Sequence, residues 1–378
     1  MTETYDEEDD SLKKEEKRAQ YFFHCISGMN SRKLMRIYKC TGSFEKALEM
    51  EPNELRIRGA IKSDRDEAKT EEAFGRKDII YESYERLKDS GISYISVFEK
   101  EYPARLRNIP DFPAGLFVKG RLPDDSHPSA AVIGARACSE YGKDVAHMFG
   151  ERLSSFGVQI ISGLAAGIDS HAQRGAVRAG KSTFSVLGCG VNICYPKENY
   201  YLYRRILDLG GGIISEYPPD TEPLAINFPQ RNRIISGLGD CLLVLEARKR
   251  SGTSITVDFA LDQGREVFAL PGRITDPLGK GCNELIKNGA TVLTGPEDVL
   301  DYFNIGCCKD CEKTKKQEPA LAKTEKTVYA VLDSEEKHVE EIAELSGLSV
   351  SETVGTLMRL EMMGLARETA GLYYMKIG

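Results

Sequence analysis

The sequence has no long apolar run. No stretch of about 18 consecutive apolar residues occurs in its 378 residues, so we expect no membrane-spanning helix. The first residues, MTETYDEEDD, are acidic and polar rather than basic and then apolar, so we also expect no secretory signal. Residues 1–20 carry eight acidic and four basic side chains, which predicts a disordered acidic arm.

Paired cysteines are scarce. Most of the ten cysteines stand alone in the sequence, which is the usage expected of a protein in the reducing cytoplasm. The exception is the cluster Cys307, Cys308 and Cys311, which resembles half of a zinc site. A closed zinc site needs four ligands, usually as two spaced pairs, and no second pair follows. The cluster therefore favours free thiols in a linker over a metal site.

Signatures of common enzymes are missing as well. The sequence contains no H-E-x-x-H, no G-x-S-x-G and no His–carboxylate–Ser set. Its net charge of −7 counts against a protein that coats nucleic acid with a generally basic surface. We therefore expect a protein that is not an enzyme and has no cofactor, and whose basic side chains must gather locally to bind a polyanion.

The region after the arm changes pattern twice. Residues 21–90 predict short helices around glycine turns, typical of small helix–hairpin–helix or SAM-like modules, which bind either DNA or other proteins. Residues 91–303 alternate short apolar runs with amphipathic helices, which predicts an α/β fold with a parallel sheet covered on both faces. The seven apolar runs are AAVIGA (130–135), VQIISG (158–163), TFSVLG (183–188), GIISEY (212–217), CLLVLEA (241–247), EVFALPG (266–272) and TVLTG (291–295).

One stretch imitates an ATP-binding loop. Residues 175–183, GAVRAGKST, fit the phosphate-loop pattern G-x-x-x-x-G-K-[ST]. A phosphate loop follows a strand and precedes a helix, whereas this stretch follows a predicted helix and precedes a predicted strand. Gly180 is therefore predicted to be a helix C-cap, with Lys181 near the negative end of the helix.

The C-terminal part predicts a small separate unit. Residues 304–322 are polar and unpatterned and predict a linker. Residues 323–378 predict three helices followed by a hairpin, which is the pattern of a winged-helix domain. A helix that reads DNA presents Arg, Lys, Asn or Gln on its exposed side, whereas the third helix has Arg359 between Glu352 and Glu361. We expect this unit to dock a protein rather than to read bases.

Basic or glycine-rich loops follow five successive apolar runs. The carboxyl ends of parallel strands meet at one edge of the sheet, and helix N-termini at this edge bind anions. We therefore expect these loops to converge on a site that holds a polyanion. The candidates, in chain order, are Arg136; Ser162, Gly163 and Gly167; Lys197 and Asn199; Arg231, Asn232 and Arg233; and Ser251, Gly252 and Thr253.

The same loops carry a family resemblance. The motifs are G-x-R-x-x-S-x-Y-G at 134–142, S-G-L-A-x-G-I-D at 162–169, Y-P-K-x-N at 195–199, F-P-x-R-N-R-I-I-S-G-L at 228–238 and S-G-T-x-x-T at 251–256. Together they resemble the DNA-processing protein A (DprA/Smf) family over residues 100–300. Ala135 and Gln173 depart from the commoner residues of that family, and neither departure removes a charge.

The resemblance implies both a fold and a function. It implies an extended Rossmann-like core that binds single-stranded DNA, forms a homodimer, and helps to load the RecA recombinase during DNA uptake and recombination. Arg136 and Lys197 match residues that the family uses on DNA phosphates, and the 162–169 loop matches part of its pocket. The helical module and the winged helix also match common family architecture.

Two other functions stay open at this point. The first is a nucleotide-binding or nucleotide-hydrolysing enzyme on the same fold, which would need a positioned carboxylate pair. Glu216 and Glu246 are the candidates for that pair, since both lie near predicted strand ends. The second is a sequence-specific DNA regulator led by the winged helix.

Overall fold

The computed structural model describes residues 3–249, 251–306, 322–333 and 336–376. The chain divides into two compact units, Met1–Gly306 and Cys307–Gly378. The predicted thiol cluster at 307–311 lies outside the described residues, as does most of the predicted linker. Among the described residues, no helix combines the length and the apolar character needed to cross a membrane.

The first unit begins with six helices. They are α1 (Glu3–His24), α2 (Ser31–Thr41), α3 (Phe44–Leu48), α4 (Pro52–Ile57), α5 (Asp64–Phe74) and α6 (Lys77–Asp89). The side chain of Asn30 caps α2 by accepting from the backbone N–H of Lys33, and Gly42 ends the helix with a φ of 82°. These helices share an apolar core that includes Phe22, Phe44 and Leu55.

The helical module starts earlier than the sequence indicated. Helix α1 runs from Glu3 to His24 and so covers residues for which the sequence predicts a disordered arm. In the last turns of the helix, Ala19 and Gln20 are buried. Nε2 of Gln20 donates to the carbonyl oxygen of Ala114, 2.6 Å away, which ties the helix to the rest of the unit.

A nine-stranded sheet forms the centre of the unit. Its strands are β1 (Ile92–Ser96), β2 (Gly115–Gly120), β3 (Ser129–Ile133), β4 (Gln159–Ser162), β5 (Thr183–Leu187), β6 (Gly212–Ser215), β7 (Cys241–Val244), β8 (Glu266–Ala269) and β9 (Thr291–Val292). Their order is β1-β2-β6-β5-β4-β3-β7-β8-β9. Strands β3 to β9 run parallel, and β1 and β2 extend the sheet in antiparallel fashion.

The seven parallel strands coincide with the seven predicted apolar runs. In β3 both faces are buried, since Ala131 and Ile133 face one core, whereas Ala130 and Val132 face the other. Strands β4 to β7 are likewise buried throughout, whereas both residues of the short edge strand β9 are exposed. Strands β1 and β2 were not predicted from the sequence. The residues of β1, ISYIS, differ in burial from one position to the next, and β2 lies second from the edge of the sheet.

Helices cover both faces of the sheet. They are α7 (Ala104–Arg107), α8 (Glu140–Ser155), α9 (Ile168–Arg178), α10 (Tyr200–Asp208), α11 (Asn227–Leu238), α12 (Gly252–Asp262), α13 (Gly279–Lys287) and α14 (Pro296–Tyr302). Ile234 of α11 and Val257 of α12 pack on one face. Phe149 of α8 and Ala172 of α9 pack on the other. This arrangement is the predicted doubly covered α/β fold.

The apparent phosphate loop is the end of a helix. Helix α9 ends at Arg178, and Gly180 follows with a φ of 67°. The N–H groups of Gly180 and Lys181 donate to the carbonyl oxygens of Val177 and Ala176, both at 3.0 Å. These two bonds close a Schellman cap, and strand β5 begins at Thr183. The stretch therefore runs from helix to strand, the reverse of a phosphate loop.

The second unit is the predicted winged helix. It consists of α15 (Lys323–Val331), β10 (Lys337–His338), α16 (Val339–Ser346), α17 (Val350–Met362), β11 (Ala366–Ala370) and β12 (Tyr373–Lys376), with the strands in the order β10-β12-β11. Arg359 of α17 donates from Nε to Oε1 of Glu325 at 3.0 Å. The guanidinium is thus already paired within the unit.

Candidate nucleic-acid interface

The connections of the sheet define one crevice. From β3 the chain proceeds through β4 and β5 to β6 on one side, and from β7 it proceeds through β8 to β9 on the other. Ligands of such sheets bind at the carboxyl ends of the strands where this direction reverses. A cavity of about 590 Å³, the interface cavity, lies there. Its walls come from the loops after β3, β4 and β7 and from the start of α11.

Arg136 and Lys197 are the two exposed cations of the predicted set. Arg136 lines the cavity, and its guanidinium carbon lies 5.4 Å from the ring centroid of Phe228. Lys197 begins a 3₁₀ turn, Lys197–Asn199, after β5. Within the described part of the chain, neither side chain forms a salt bridge. Both charges are therefore available to an anion.

Asn199 acts from inside the protein. Its side chain is buried, and Nδ2 donates to the carbonyl oxygen of Leu164 at 2.8 Å. Oδ1 accepts from Nη2 of Arg174 at 3.1 Å. These bonds join the turn that carries Lys197 to the 162–169 loop. The bonds favour a role for Asn199 in positioning that turn over a direct contact with DNA.

The 162–169 loop is also held from within. Ser162 and Gly163 are buried; Oγ of Ser162 donates to Val132 at 2.6 Å, and the N–H of Gly163 donates to Oδ2 of Asp169 at 3.0 Å. Gly167 has a φ of 80°, and a Cβ there would lie 2.2 Å from the carbonyl oxygen of Ala135. The loop thus shapes the wall beside Arg136, and the hydroxyl of Ser162 and the N–H of Gly163 are both used in bonds inside the protein.

Arg231 lies beneath the cavity. Nη1 donates to the carbonyl oxygen of Gly163 at 2.9 Å and also to that of Val186, while Nε has no partner among the described residues. Burial lowers the pKa of Arg231 to about 10, and the nearby carboxylate of Asp169 opposes that shift. Burial in turn raises the pKa of Asp169, against the attraction of Arg231. Arg231 braces two strand ends rather than presenting its charge to solvent.

Arg233 is withdrawn from the cavity as well. It is 4% exposed, and Nη2 lies 2.8 Å and 2.7 Å from the two carboxylate oxygens of Glu216. Nε lies 3.4 Å from Oδ2 of Asp111. Nη1 is buried and has no partner among the described residues. The contacts with Glu216 and Asp111 favour a bracing role for Arg233 over a direct contact with DNA.

The start of α12 forms the opposite wall. Asn232, Ser251, Gly252 and Thr253 all line the cavity. Oγ of Ser251 is buried without a partner among the described residues, although Ser251 stands at the N-cap of an 11-residue helix. The first N–H groups of a helix favour an anion. This wall therefore suits the phosphate that the sequence analysis expected.

Two aromatic rings complete the cavity. Phe228 was noted in the sequence, but Tyr195 was not assigned to the site. The two ring centroids lie 5.5 Å apart, and both rings line the cavity. Tyr195 is 42% exposed. Its position directly before Pro196 and Lys197 was the signal available in the sequence. An exposed ring beside cations provides a surface on which a base can stack.

The two candidate catalytic carboxylates are engaged elsewhere. Glu216 is held by Arg233. Glu246 is 4% exposed, and it accepts from the N–H and the hydroxyl of Ser139 at the start of α8. Each carboxylate thus serves its own structural contact. In the described part of the chain, no group of three or more His, Cys, Asp or Glu side chains could hold a metal ion.

Comparison with known proteins gives consistent matches. Residues 93–304 match the family model of DNA recombination-mediator protein A, and residues 312–371 match that of the DprA winged helix domain. The chain is 41% identical over 279 residues to protein Smf of Escherichia coli, covering 72% of this chain and 74% of that protein. It is 40% identical over 235 residues to DNA processing protein DprA of Streptococcus pneumoniae, covering 60% of this chain and 82% of that protein.

Solved structures agree with these matches. The X-ray structure of DNA processing protein A from Streptococcus pneumoniae superposes with a TM-score of 0.64 and 31% identity, covering 75% of this chain and 97% of that one. A second match is a structure that concerns the single-stranded DNA binding mode of DNA processing protein A from Helicobacter pylori. It gives a TM-score of 0.50 and 26% identity, covering 57% of this chain and 96% of that one. This chain belongs to the DNA recombination-mediator protein A family, the family of the DprA and Smf proteins.

Proposed function

We propose that this chain binds single-stranded DNA in the cavity at the carboxyl edge of its sheet. The observation that carries the proposal is the pair of exposed cations, Arg136 and Lys197, which follow different strands and have no carboxylate partner in the described part of the chain. Arg136 lines the cavity, and Lys197 follows two residues after Tyr195, which also lines it. The Helicobacter pylori relative, with its single-stranded DNA binding mode, supports the same ligand for this chain.

The lining of the cavity favours a single strand over a duplex. Phe228 and Tyr195 offer ring surface to bases, and bases are available for stacking only when they are unpaired. The start of α12 offers N–H groups to a phosphate. The site therefore combines phosphate contacts, which give affinity, with stacking that tolerates any base.

The wider role rests on the family. We propose that the chain protects the bound strand and acts as a homodimer that helps to load the RecA recombinase in DNA uptake and recombination. We place this activity in the cytoplasm, in keeping with the seven described cysteines, which are all free. Multi-angle light scattering tests the dimer. RecA filament formation on a strand coated beforehand with the protein tests the loading role.

Binding curves on a single strand and on the matching duplex test the central proposal. Both should be measured over a series of salt concentrations, because phosphate contacts release counterions and give a linear log–log dependence. We expect tighter binding to the single strand and no turnover of nucleotides in the same preparation. Equal or tighter binding to the duplex would instead support a regulator led by the winged helix. Turnover of nucleotides would instead support a nucleotide-hydrolysing enzyme.

A further inference from the structure

A second groove lies on the helical module, apart from the interface cavity. It has a volume of about 360 Å³ and runs between α2 and the segment 110–112. Met35 and Phe112 are half-buried and give it an apolar floor together with Pro110. Arg32, Arg36 and Lys39 form one wall. Their spacing of four and three residues places the three cations on one face of the helix.

The charges of this groove are not balanced by the protein. Nε of Arg32 lies 2.9 Å from Oδ1 of Asp111, whose other oxygen lies 3.4 Å from Arg233. The acidic side chain of the groove is therefore already paired. In the part of the chain that the structure describes, Arg36 and Lys39 form no salt bridge. The groove keeps two uncompensated cations in a chain whose net charge is −7.

A larger cavity lies between the groove and the segment that borders the interface cavity. The groove shares Ser31, Arg32 and Asp111 with this larger cavity of about 880 Å³. The larger cavity is bounded by Leu224 and Gln230, whereas other residues of the same 223–230 segment bound the interface cavity. A flexible polymer that leaves the interface cavity therefore has to cross only this segment to reach the larger cavity and the groove.

We propose that the groove on α2 is a second contact site for the same DNA strand. Arg36 and Lys39 bind its phosphates, and the apolar floor of Met35, Pro110 and Phe112 receives an unpaired base. An apolar floor beside a cationic wall is the combination that single-stranded nucleic acid requires. The inference rests on the proposed function, because the strand must first occupy the interface cavity.

Oligonucleotide length separates the two sites. A short oligothymidine of about 6 nucleotides occupies one site, whereas one of about 30 nucleotides reaches both. The test uses the full chain with the double substitution Arg36→Gln and Lys39→Gln. The control is Lys62→Gln with Lys88→Gln, which removes the same charge from exposed positions of the same module. Affinity is measured against salt concentration for both lengths.

We expect the groove variant to lose affinity only for the long strand. Its log–log salt slope should fall by about 1.4, since each phosphate contact contributes about 0.7, and its affinity at about 0.1 M salt should fall roughly tenfold. The control should keep the wild-type slope. A groove variant that matches the control on the long strand, while Arg136→Ala still weakens both lengths, overturns this inference and leaves the proposed function standing. If the wild-type protein binds neither the short nor the long oligonucleotide, both this inference and the proposed function are overturned.

Discussion

Nη2 of Arg233 lies within 2.8 Å of both carboxylate oxygens of Glu216. Glu216 follows β6, and Arg233 lies on α11, the helix that also carries Phe228 and Asn232. Oγ of Ser31, at the start of α2, donates to Oε1 of the same carboxylate at 2.6 Å. This one ion pair therefore joins the helical module, a strand end and the helix that borders the interface cavity.

Removal of either partner should destabilise the protein. Glu216→Ala or Arg233→Ala leaves a buried charge without its partner, which typically costs 3–5 kcal/mol, so we expect a loss of about 3 kcal/mol or more in denaturant unfolding. The double variant should lose less than the sum of the two single variants, because the unpaired charge is then gone. If the Arg233→Ala variant unfolds like the wild type but has a lower salt slope for DNA binding, Arg233 contacts DNA directly.

Arg136→Ala and Lys197→Ala should weaken DNA binding without affecting the fold. Each side chain is exposed and makes no salt bridge within the described residues, so unfolding should be unchanged within about 0.5 kcal/mol. The salt slope for a single strand should fall by about 0.7 for each substitution, for all sequences alike. If both variants keep the wild-type slope while they remain folded, the polyanion site lies elsewhere.

Lys181→Ala is the matched control for Arg136→Ala and Lys197→Ala, and it also tests a separate prediction. Lys181 is exposed and follows the Schellman cap at Gly180, so it is not part of a phosphate loop. We expect single-strand affinity close to that of the wild type and no ATP hydrolysis by either protein. ATP turnover that disappears in this variant would contradict the helix-cap assignment.

Deletion of the winged helix should have little effect on affinity. Arg359 is paired with Glu325, and the exposed side of α17 also carries Glu352 and Glu361. A chain that ends at Gly306 should bind single strands within about threefold of the full chain, which is under 1 kcal/mol. A loss of tenfold or more would identify the second unit as a DNA-binding element.

His24 should make stability depend on pH. Nε2 of His24 donates to the carbonyl oxygen of Glu216 at 2.8 Å, so Nδ1 of the neutral ring accepts from the hydroxyl of Tyr94 at 3.0 Å. Burial lowers the pKa of His24 below its ordinary value of 6.5. The unfolded chain then binds the proton more readily, so the stabilising effect is complete above pH 6.5. It is lost as the pH falls from there toward the folded pKa.

The pH effect has a direct measurement. The free energy of unfolding should fall below pH 6.5 by up to about 1.4 kcal/mol per pH unit from this one group. His24→Gln keeps a donor and an acceptor but does not titrate, so its profile should be flatter. A His24→Gln profile identical to that of the wild type would assign the acid sensitivity to other groups.

The sequence by itself determined the strands of the parallel sheet. Strands buried on both faces are mostly apolar, and β3 to β7 therefore coincide with the predicted runs. The runs at 266–272 and 291–295 coincide with β8 and β9, although both residues of β9 are exposed. The sequence also predicted Arg136 near the carboxyl edge of the sheet, because it directly follows such a run, and Lys197 in the loop that follows the run at 183–188. The order of helix α9 and strand β5 was enough to exclude a phosphate loop.

Only the tertiary structure decided how the other candidates are placed around the cavity. Arg231, Asn232 and Arg233 are consecutive, yet only the first two line the cavity. The guanidinium of Arg231 donates to a backbone carbonyl oxygen there, and Arg233 is paired with a carboxylate inside the protein. Their partners, the carbonyl oxygen of Gly163 and the carboxylate of Glu216, are distant in sequence and come close only when the sheet forms. A local pattern specifies which side chains are charged, but burial and pairing depend on such long-range contacts.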